Sequence, residues 1–202
     1  MHSLIVIAHP DAGSYTHAVA KQVIAGLQED PQNTVEIADL TAEGFDPSYT
    51  DADYRAFRDG TALPADVVAE QARIDRADLL ILIFPVYWWS MPAILKGWID
   101  RVFTNGWAYI DAEGQETTRL LGRLSVQTVA IGGATQHTYD KRGYAKALRT
   151  QIDEGIFGYA GARRMGLDLL LPLDDASSQA GLQRARAIGA NLTCATQEAA
   201  GV

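Results

Sequence analysis

Cysteine and positive charge are both scarce in this sequence. The only cysteine is Cys194, so no disulfide can form within the chain, and we expect a reducing, cytoplasmic location. We interpret Cys194 as a helix packing residue, since no histidine or acid is spaced with it like a metal shell. The chain has 17 basic and 25 acidic residues, a net charge of -8. Nucleic acids and anionic membranes select basic patches, so neither is expected as the main partner.

Long hydrophobic runs and processing signals are also missing. The first residues, MHSLIVIAHP, lack a basic region and a long apolar core, and we interpret them as a β-strand, not a signal peptide. No internal repeat or low-complexity segment divides the chain. A length of 202 residues therefore predicts one domain, residues 1–202, with a substantial core. No metal site is predicted.

The stretch from Leu79 to Tyr109 holds all four tryptophans and organises the chain. Leu79 to Phe84 is an apolar run of the length of a strand buried on both faces, and it breaks at Pro85. After it the apolar spacing becomes that of one helix face, with Ser90 as the expected N-cap and Pro92 in the first turn. The residues of that face are Ile94, Leu95, Trp98, Ile99, Val102 and Phe103.

Between this strand and helix lies an aromatic segment, Pro85, Val86, Tyr87, Trp88 and Trp89. In an open α/β sheet, ligands bind beyond the carboxyl ends of the strands. Flat apolar surfaces and backbone amides suit a planar heteroaromatic ring better than a sugar or a metal. The alternative is that the aromatic side chains only cover the edge of the sheet.

A second candidate site is the amino-terminal loop, residues 9–17, which reads HPDAGSYTH. It follows a predicted strand and precedes a predicted helix that Ser14 or Thr16 can cap. Free N–H groups and the helix dipole make such a position an anion site. The loop is neither G-x-G-x-x-G nor a P-loop, which disfavours Rossmann-type dinucleotide binding. His9 alone is equally consistent with a histidine satisfied at a strand end.

The remaining pattern alternates strands with helices, which predicts a parallel sheet covered on both faces. Segment 41–64 is expected to be irregular with a helical turn near Tyr54 to Phe57, segment 111–122 to be turn-rich, and segment 134–144 to be a loop. Further strands are predicted at Leu4–Ala8, Thr34–Ala38, Leu124–Ile131 and Met165–Leu171. Further helices are predicted at Ala18–Leu27, Pro64–Arg76, Gly143–Gly158 and Ser177–Thr196.

The central stretch resembles the signature of the flavodoxin-like NAD(P)H:quinone oxidoreductases. The matching run is Phe84-Pro85-x-x-Trp88-x-x-x-Pro92-Ala93-Ile94-Leu95-Lys96-Gly97-Trp98-x-x-Arg101-Val102-Phe103, followed by Ala108-Tyr109. The amino-terminal loop resembles that family's flavin-phosphate loop. The family includes bacterial NADPH:quinone reductases and the small flavoproteins that accompany glutathione-gated potassium efflux systems.

The resemblance implies a flavodoxin-like, doubly wound, five-stranded parallel sheet of order 2-1-3-4-5. It implies an NAD(P)H dehydrogenase (quinone) with bound FAD or FMN, which reduces quinones or similar electrophiles by two-electron, ping-pong hydride transfer. It also implies a homodimer, with segment 41–64 as a cover on the dimer side. One alternative is a regulatory flavoprotein whose partner is a membrane transporter for potassium efflux. Another is a flavodoxin-like electron carrier, which the aromatic-rich surround disfavours.

The resemblance also assigns site residues. The phosphate is assigned to His9, Ser14, Tyr15, Thr16 and His17, the flavin ring edge to the segment from Pro85 to Trp89, and the pyrimidine end to Ile131, Gly132 and Gly133. Met91, Trp107 and Tyr109 are expected to line the substrate pocket with Trp88, although Trp107 fits a dimer core equally well. Tyr139 is the expected catalytic hydrogen-bond donor. Tyr144 lies near the place of the family's relay histidine, and His137 fits a surface residue as well as a participant.

Overall fold

The computed structural model describes residues 1–200, with side chains through Thr193, so the packing predicted for Cys194 lies outside the described residues. The strands are His2–Ile7 (β1), Thr34–Asp39 (β2), Leu79–Pro85 (β3), Tyr109–Ile110 (β4), Thr118–Arg119 (β5), Ser125–Ile131 (β6) and Arg163–Leu170 (β7). The α-helices are Tyr15–Leu27 (α1), Asp51–Asp59 (α2), Ala65–Arg76 (α3), Ala93–Val102 (α4), Gln136–Arg142 (α5), Tyr144–Arg149 (α6) and Asp175–Ala200 (α7). A π-helix, Thr150–Gly158, continues α6.

Five of these strands form one parallel sheet in the order β2-β1-β3-β6-β7. The strands β4 and β5 form a separate antiparallel hairpin within the segment predicted as turn-rich. With the hairpin set aside, the order is the predicted 2-1-3-4-5, so the predicted fold class is confirmed. No helix in the described part of the chain is both long and apolar enough to cross a bilayer.

The central strand β3 contributes to two separate cores, because successive side chains point to opposite faces of a sheet. Leu80, Leu82 and Phe84 face the cluster formed with α3, α4, α6 and the π-helix. Leu79, Ile81 and Ile83 face the cluster formed with α1 and α7. All six side chains are completely buried, which explains why the run shows no polar alternation.

The helices α1 and α7 pack backbone against backbone at two glycines. A β-carbon added to Gly26 would overlap the carbonyl oxygen of Arg186, and one added to Gly189 would overlap that of Val23. The absent side chains allow this close approach. The contact fixes α1, and therefore the amino-terminal loop that precedes it, against one face of the sheet.

Two segments predicted as largely irregular contain helices, and local caps explain both. The helical turn expected near Tyr54 to Phe57 is part of α2, which is longer, and the predicted loop 134–144 contains α5. Thr50 and Asp53 form a capping box that starts α2, and Gly60 ends it in the left-handed conformation with φ of 66°. Thr135 caps α5 and Gly143, with φ of 71°, ends it. The segment predicted as one helix from residue 143 to 158 divides into α6 and the π-helix.

The predicted N-cap role of Ser90 is wrong. Pro92 occupies the N-cap position of α4 without a side-chain hydrogen bond. Ser90 instead pairs through its backbone with Tyr87, and its hydroxyl donates to Oε1 of Gln151 at 2.6 Å. The backbone pairing closes a turn ahead of the helix, which turns Ser90 away from the first amides of α4.

A buried arginine attaches segment 41–64 to α4. The guanidinium of Arg101 donates to Asp53 at 3.1 Å, to Asp66 at 2.6 Å and to the carbonyl oxygen of Asp46. Burial tends to raise the pKa of Asp53, but hydrogen bonds from Thr50 and Arg101 outweigh it, so the net pKa is lowered. This stabilisation is present above the ordinary carboxyl pKa and is lost as the pH falls through the lowered value.

Replacing this arginine tests the attachment. The Arg101 and Asp53 side chains are 4% and 2% exposed, and removing one member of a buried ion pair leaves the other charge uncompensated. We expect Arg101→Gln to lower the free energy of unfolding by about 3 kcal/mol in urea denaturation at neutral pH.

The matched control is Arg186→Gln, since Arg186 and Glu29 form a pair whose side chains are 54% and 49% exposed. That change should cost less than about 1 kcal/mol. Equal losses in the two variants would show that the Arg101 pair does not hold the segment in place.

Candidate functional site

Three loops meet at the carboxyl edge of the sheet. The strands β1, β3 and β6 are neighbours and run parallel, so the segments that follow them emerge side by side. These segments are the amino-terminal loop, the aromatic segment after β3 and the residues after Ile131. The structure therefore brings together the three groups of residues that the sequence predicts as a cofactor site.

The amino-terminal loop presents donors at the start of α1. Ser14 is the N-cap, and the N–H groups of Tyr15 and Thr16 lie in the first turn, where no intrahelical acceptor exists. Nδ1 of His9 lies 3.0 Å from the amide nitrogen of Asp11 and 3.2 Å from the carbonyl oxygen of the same residue. In the tautomer in which Nδ1 accepts from the amide, Nε2 carries the ring proton. Backbone and imidazole N–H groups at this position can bind an anion.

Two predicted phosphate residues are bonded within the protein. The Tyr15 hydroxyl donates to the carbonyl oxygen of Ser178 at 2.7 Å, and burial raises the pKa of this phenol. His17 uses both ring nitrogens, Nδ1 at 2.9 Å from the Ser14 hydroxyl and Nε2 at 2.8 Å from Oδ2 of Asp39. Both residues lie in the predicted loop, and the hydrogen bonds of their side chains are made within the protein.

The residues Tyr87–Ser90 form a tight two-residue turn, which we call the aromatic turn. The backbones of Tyr87 and Ser90 exchange hydrogen bonds, each 3.0 Å long. Trp88 and Trp89 occupy the central positions with φ of 48° and 65°, a left-handed conformation that favours glycine. Trp88 is 93% exposed as a result. Trp89 turns inward and stacks on Tyr144 with ring centroids 3.8 Å apart.

The glycines after β6 have different roles. The N–H of Gly132 donates to the carbonyl oxygen of Leu170 at 2.8 Å, and a β-carbon there would overlap the Tyr139 hydroxyl. Gly133 is exposed, and a β-carbon there would meet nothing within 4 Å. The Gly132 amide is therefore used within the sheet, and the absent side chain of Gly132 makes room for Tyr139. The carbonyl of Ile131 accepts from the N–H of Val86 at 2.8 Å and connects the two loops.

A shallow hollow of about 270 Å³ lies between the aromatic turn and Gly133. Tyr139 forms its base, is 1% exposed and contacts Trp89 edge to face with ring centroids 5.5 Å apart. Burial raises the pKa of Tyr139, so the phenol keeps its proton at neutral pH. The lining residues are Val86, Trp88, Trp89, Gly133, Ala134 and Tyr139.

The predicted substrate-pocket residues do not share this hollow within one chain. Met91 is 6% exposed and packs in the core. Trp107 and Tyr109 line a separate cleft of about 610 Å³ that also includes Phe57 and Arg101. The reason is α4, whose ten residues carry the chain roughly 15 Å away from the aromatic turn before Trp107 is reached. Burial also raises the pKa of Tyr109.

Sequence reasoning missed Asp39, the partner of His17. Asp39 is the last residue of β2, at the same carboxyl edge as the other loops, and an acid at that point was the available signal. It also assigned no contact to Tyr144, which supports Trp89 by stacking. His137 is exposed on α5, which agrees with a surface residue.

Comparison with known proteins identifies the family of this chain. The pattern of the family described as having a flavodoxin-like fold matches residues 1–190. Ribosyldihydronicotinamide dehydrogenase (quinone) of Mus musculus is 30% identical over 196 residues, covering 87% of this chain and 84% of the mouse protein. The structure of an NAD(P)H:quinone oxidoreductase from Methanothermobacter marburgensis is 31% identical, with a TM-score of 0.84 over 95% of this chain and 96% of that one.

A second similar structure contains a cofactor. General stress protein 14 from Treponema denticola, in complex with FMN, is 25% identical with a TM-score of 0.65, covering 96% of this chain and 99% of that one. The family pattern covers most of this chain, and the mouse relative is matched over most of its own length. The chain therefore belongs to the flavodoxin-like NAD(P)H:quinone oxidoreductase family.

Proposed function

We propose that the protein is a flavin-dependent NAD(P)H:quinone oxidoreductase, which reduces quinones or similar electrophiles by a two-electron, ping-pong mechanism. The observation that carries the proposal is the meeting of an anion-binding helix start, an aromatic turn and the open Gly133 at one sheet edge. A phosphate-bearing planar heteroaromatic needs this combination of groups. The names of the mouse and Methanothermobacter relatives support the same activity.

The residues present fit a flavin. Ser14, the first-turn amides of α1 and Nε2–H of His9 would hold the phosphate. Trp88 and the amide of Gly133 would border the ring system. When bound, the flavin accepts hydride from NAD(P)H and passes two electrons to the acceptor. Both FAD and FMN carry a phosphate for the helix start, and the FMN in the Treponema relative supports a flavin at this fold position.

The protein's own side chains would position the flavin ring and polarise the reacting groups. The left-handed backbone of the aromatic turn directs the Trp88 indole away from the core, where it can form one wall of the ring site. The Tyr139 phenol is neutral at working pH, as phenols ordinarily are, and burial raises its pKa further, so it can donate a hydrogen bond at the base of the hollow. Fixed donors at a site of developing negative charge favour hydride transfer.

We also propose a homodimer. In it, the cleft lined by Trp107 and Tyr109 in one subunit would face the aromatic turn of the other subunit. The hollow beside Trp88 is open, while Trp107 and Tyr109 line a cleft in which Phe57 is 62% exposed. Exposed aromatic surface of this kind is typical of an interface. Light scattering should give twice the chain mass, and a fully active monomer would contradict the proposal.

Anaerobic titration of the flavin-reconstituted protein with NADPH, followed by a quinone, tests the function. Absorbance of the oxidised flavin should fall within the mixing time and return when the quinone is added. Slow bleaching would favour the electron-carrier or regulatory alternatives. Failure to bind any flavin would overturn the site assignment itself.

Trp88→Ala tests the position of the ring. Removing an aromatic contact costs about 0.5–1.5 kcal/mol, so we expect flavin affinity to fall up to about tenfold. The thermal midpoint should change little because Trp88 is 93% exposed. Trp88→Phe keeps an aromatic face and should bind flavin within about threefold of the wild type. Unaltered affinity and reduction rate in Trp88→Ala would show that the ring lies elsewhere.

Tyr139→Phe tests the buried donor. Losing one hydrogen bond of about 1.4 kcal/mol should lower kcat/KM for the quinone about tenfold, without unfolding the protein. Tyr144→Phe is the matched control, because Tyr144 contributes a ring stacked on Trp89 and should keep that contact without its hydroxyl. Stopped-flow reduction and reoxidation rates measure both. An unchanged rate in Tyr139→Phe would remove its hydroxyl from the mechanism.

A further inference from the structure

We propose that His17 and Asp39 are positioning residues that couple cofactor binding to proton uptake. In this arrangement the cofactor phosphate favours the imidazolium form of His17, and the imidazolium favours the phosphate. The inference rests on the proposed function, since it concerns the phosphate end of the same flavin site. It assigns Asp39 to the site and gives His17 a role other than direct contact.

Three side chains form a linear hydrogen-bonded chain across two elements. The Ser14 hydroxyl and Nδ1 of His17 are 2.9 Å apart, and Nε2 of His17 and Oδ2 of Asp39 are 2.8 Å apart. The second oxygen of Asp39 accepts from the N–H of Ala42 at 3.2 Å, which holds the carboxylate in place. Only 9% of His17 is exposed, so water cannot easily replace either partner.

The direction of these hydrogen bonds follows from proton counting. An ionised carboxylate only accepts, so Nε2 of His17 must carry a proton towards Asp39. In the neutral ring Nδ1 is then an acceptor, and the Ser14 hydroxyl donates its only proton to Nδ1. In that state the lone pairs of the Ser14 oxygen would face an incoming phosphate. Their repulsion of the phosphate oxygens would weaken its binding.

Protonation of the ring reverses this bond. In the imidazolium form Nδ1–H donates to Ser14 Oγ, and the Ser14 O–H is free to donate to a phosphate oxygen. One proton from solvent thus converts Ser14 from an acceptor into a donor at the N-cap of α1. By linkage, a phosphate that prefers the donor form must raise the proton affinity of His17 by the same factor.

The charges around His17 favour this role. Asp39 faces the ring from β2, and His9 lies edge-on to it with ring centroids 6.2 Å apart. From α7, Arg184 and Arg186 pair with Asp168 and Glu29, respectively. The direct ionic partner of the ring is therefore an anion, and a phosphate at the helix start would add a second.

The test is flavin affinity as a function of pH, measured by fluorescence quenching. The probes are FMN, FAD and riboflavin, and the pH is varied from about 7 to about 8.5. In this range the second ionisation of a phosphate monoester, which has a pKa of about 6, no longer changes the charge of FMN appreciably. For the wild type, the Kd of FMN and FAD should rise several-fold over this range, within the tenfold limit that a one-unit change in proton affinity sets for the whole titration. The Kd of riboflavin, which has no phosphate, should stay constant.

His17→Gln should remove the pH dependence for FMN and FAD, and Asp39→Asn should flatten it by removing the charge that stabilises the imidazolium. The matched control is His2→Gln. His2 has a similar arrangement at the opposite end of β1, with Nδ1 at 2.8 Å from Oγ1 of Thr34 and Nε2 at 3.5 Å from Glu36. That variant should keep the wild-type profile.

The outcomes separate the coupling from the function. Tight flavin binding with no pH dependence, or the same dependence in His17→Gln or with riboflavin, overturns the coupling and leaves the proposed function intact. Absence of flavin binding by the wild type overturns both. A several-fold rise confined to phosphate-bearing probes and to chains with His17 and Asp39 establishes the coupling.

Discussion

The parallel pairing of β3 with both β1 and β6 is the constraint on which the rest of the structure depends. Its six apolar residues are completely buried, so the strand can lie only at the centre of the sheet with helices on both faces. Because β1 and β6 run parallel to it, the loops that follow these strands must emerge together. The candidate site is a consequence of this pairing, and each loop contributes one type of contact.

The aromatic turn stores backbone strain at that site. Left-handed backbone costs a residue with a side chain on the order of 1 kcal/mol, and two such residues follow each other here. The paired hydrogen bonds of Tyr87 and Ser90, the contact of Ser90 with Gln151 and the stacking of Trp89 on Tyr144 offset the cost. The surrounding fold therefore imposes this conformation and keeps one tryptophan exposed.

An acidic protein needs local groups to bind an anionic cofactor. The net charge of -8 repels phosphate at long range, so attraction must come from donors that act over a few ångströms. The amino-terminal loop supplies amide and imidazole N–H groups without an unpaired lysine or arginine. In the proposed coupling, His17 held by Asp39 would be a further local group of this kind, since its protonated form and the bound phosphate favour each other.

The sequence by itself determined the alternation of strands and helices, the central buried strand and the two loops that carry the predicted site. It did so because burial periodicity, Ser14 as an N-cap and an unusual cluster of aromatic residues are local properties. Local cap signals at Thr50 and Thr135 were equally present, but the many turn-forming residues around them concealed two helices.

Only the tertiary structure decided which of these residues meet. It joined His17 to Asp39 across 22 positions of sequence, used Gly132 to make room for Tyr139, and separated Trp107 and Tyr109 from Trp88 by the length of α4. The physical reason is that hydrogen-bond partners and cavity walls depend on distances between elements. Helix lengths, strand order and close glycine contacts set those distances, and no local pattern in the sequence encodes them.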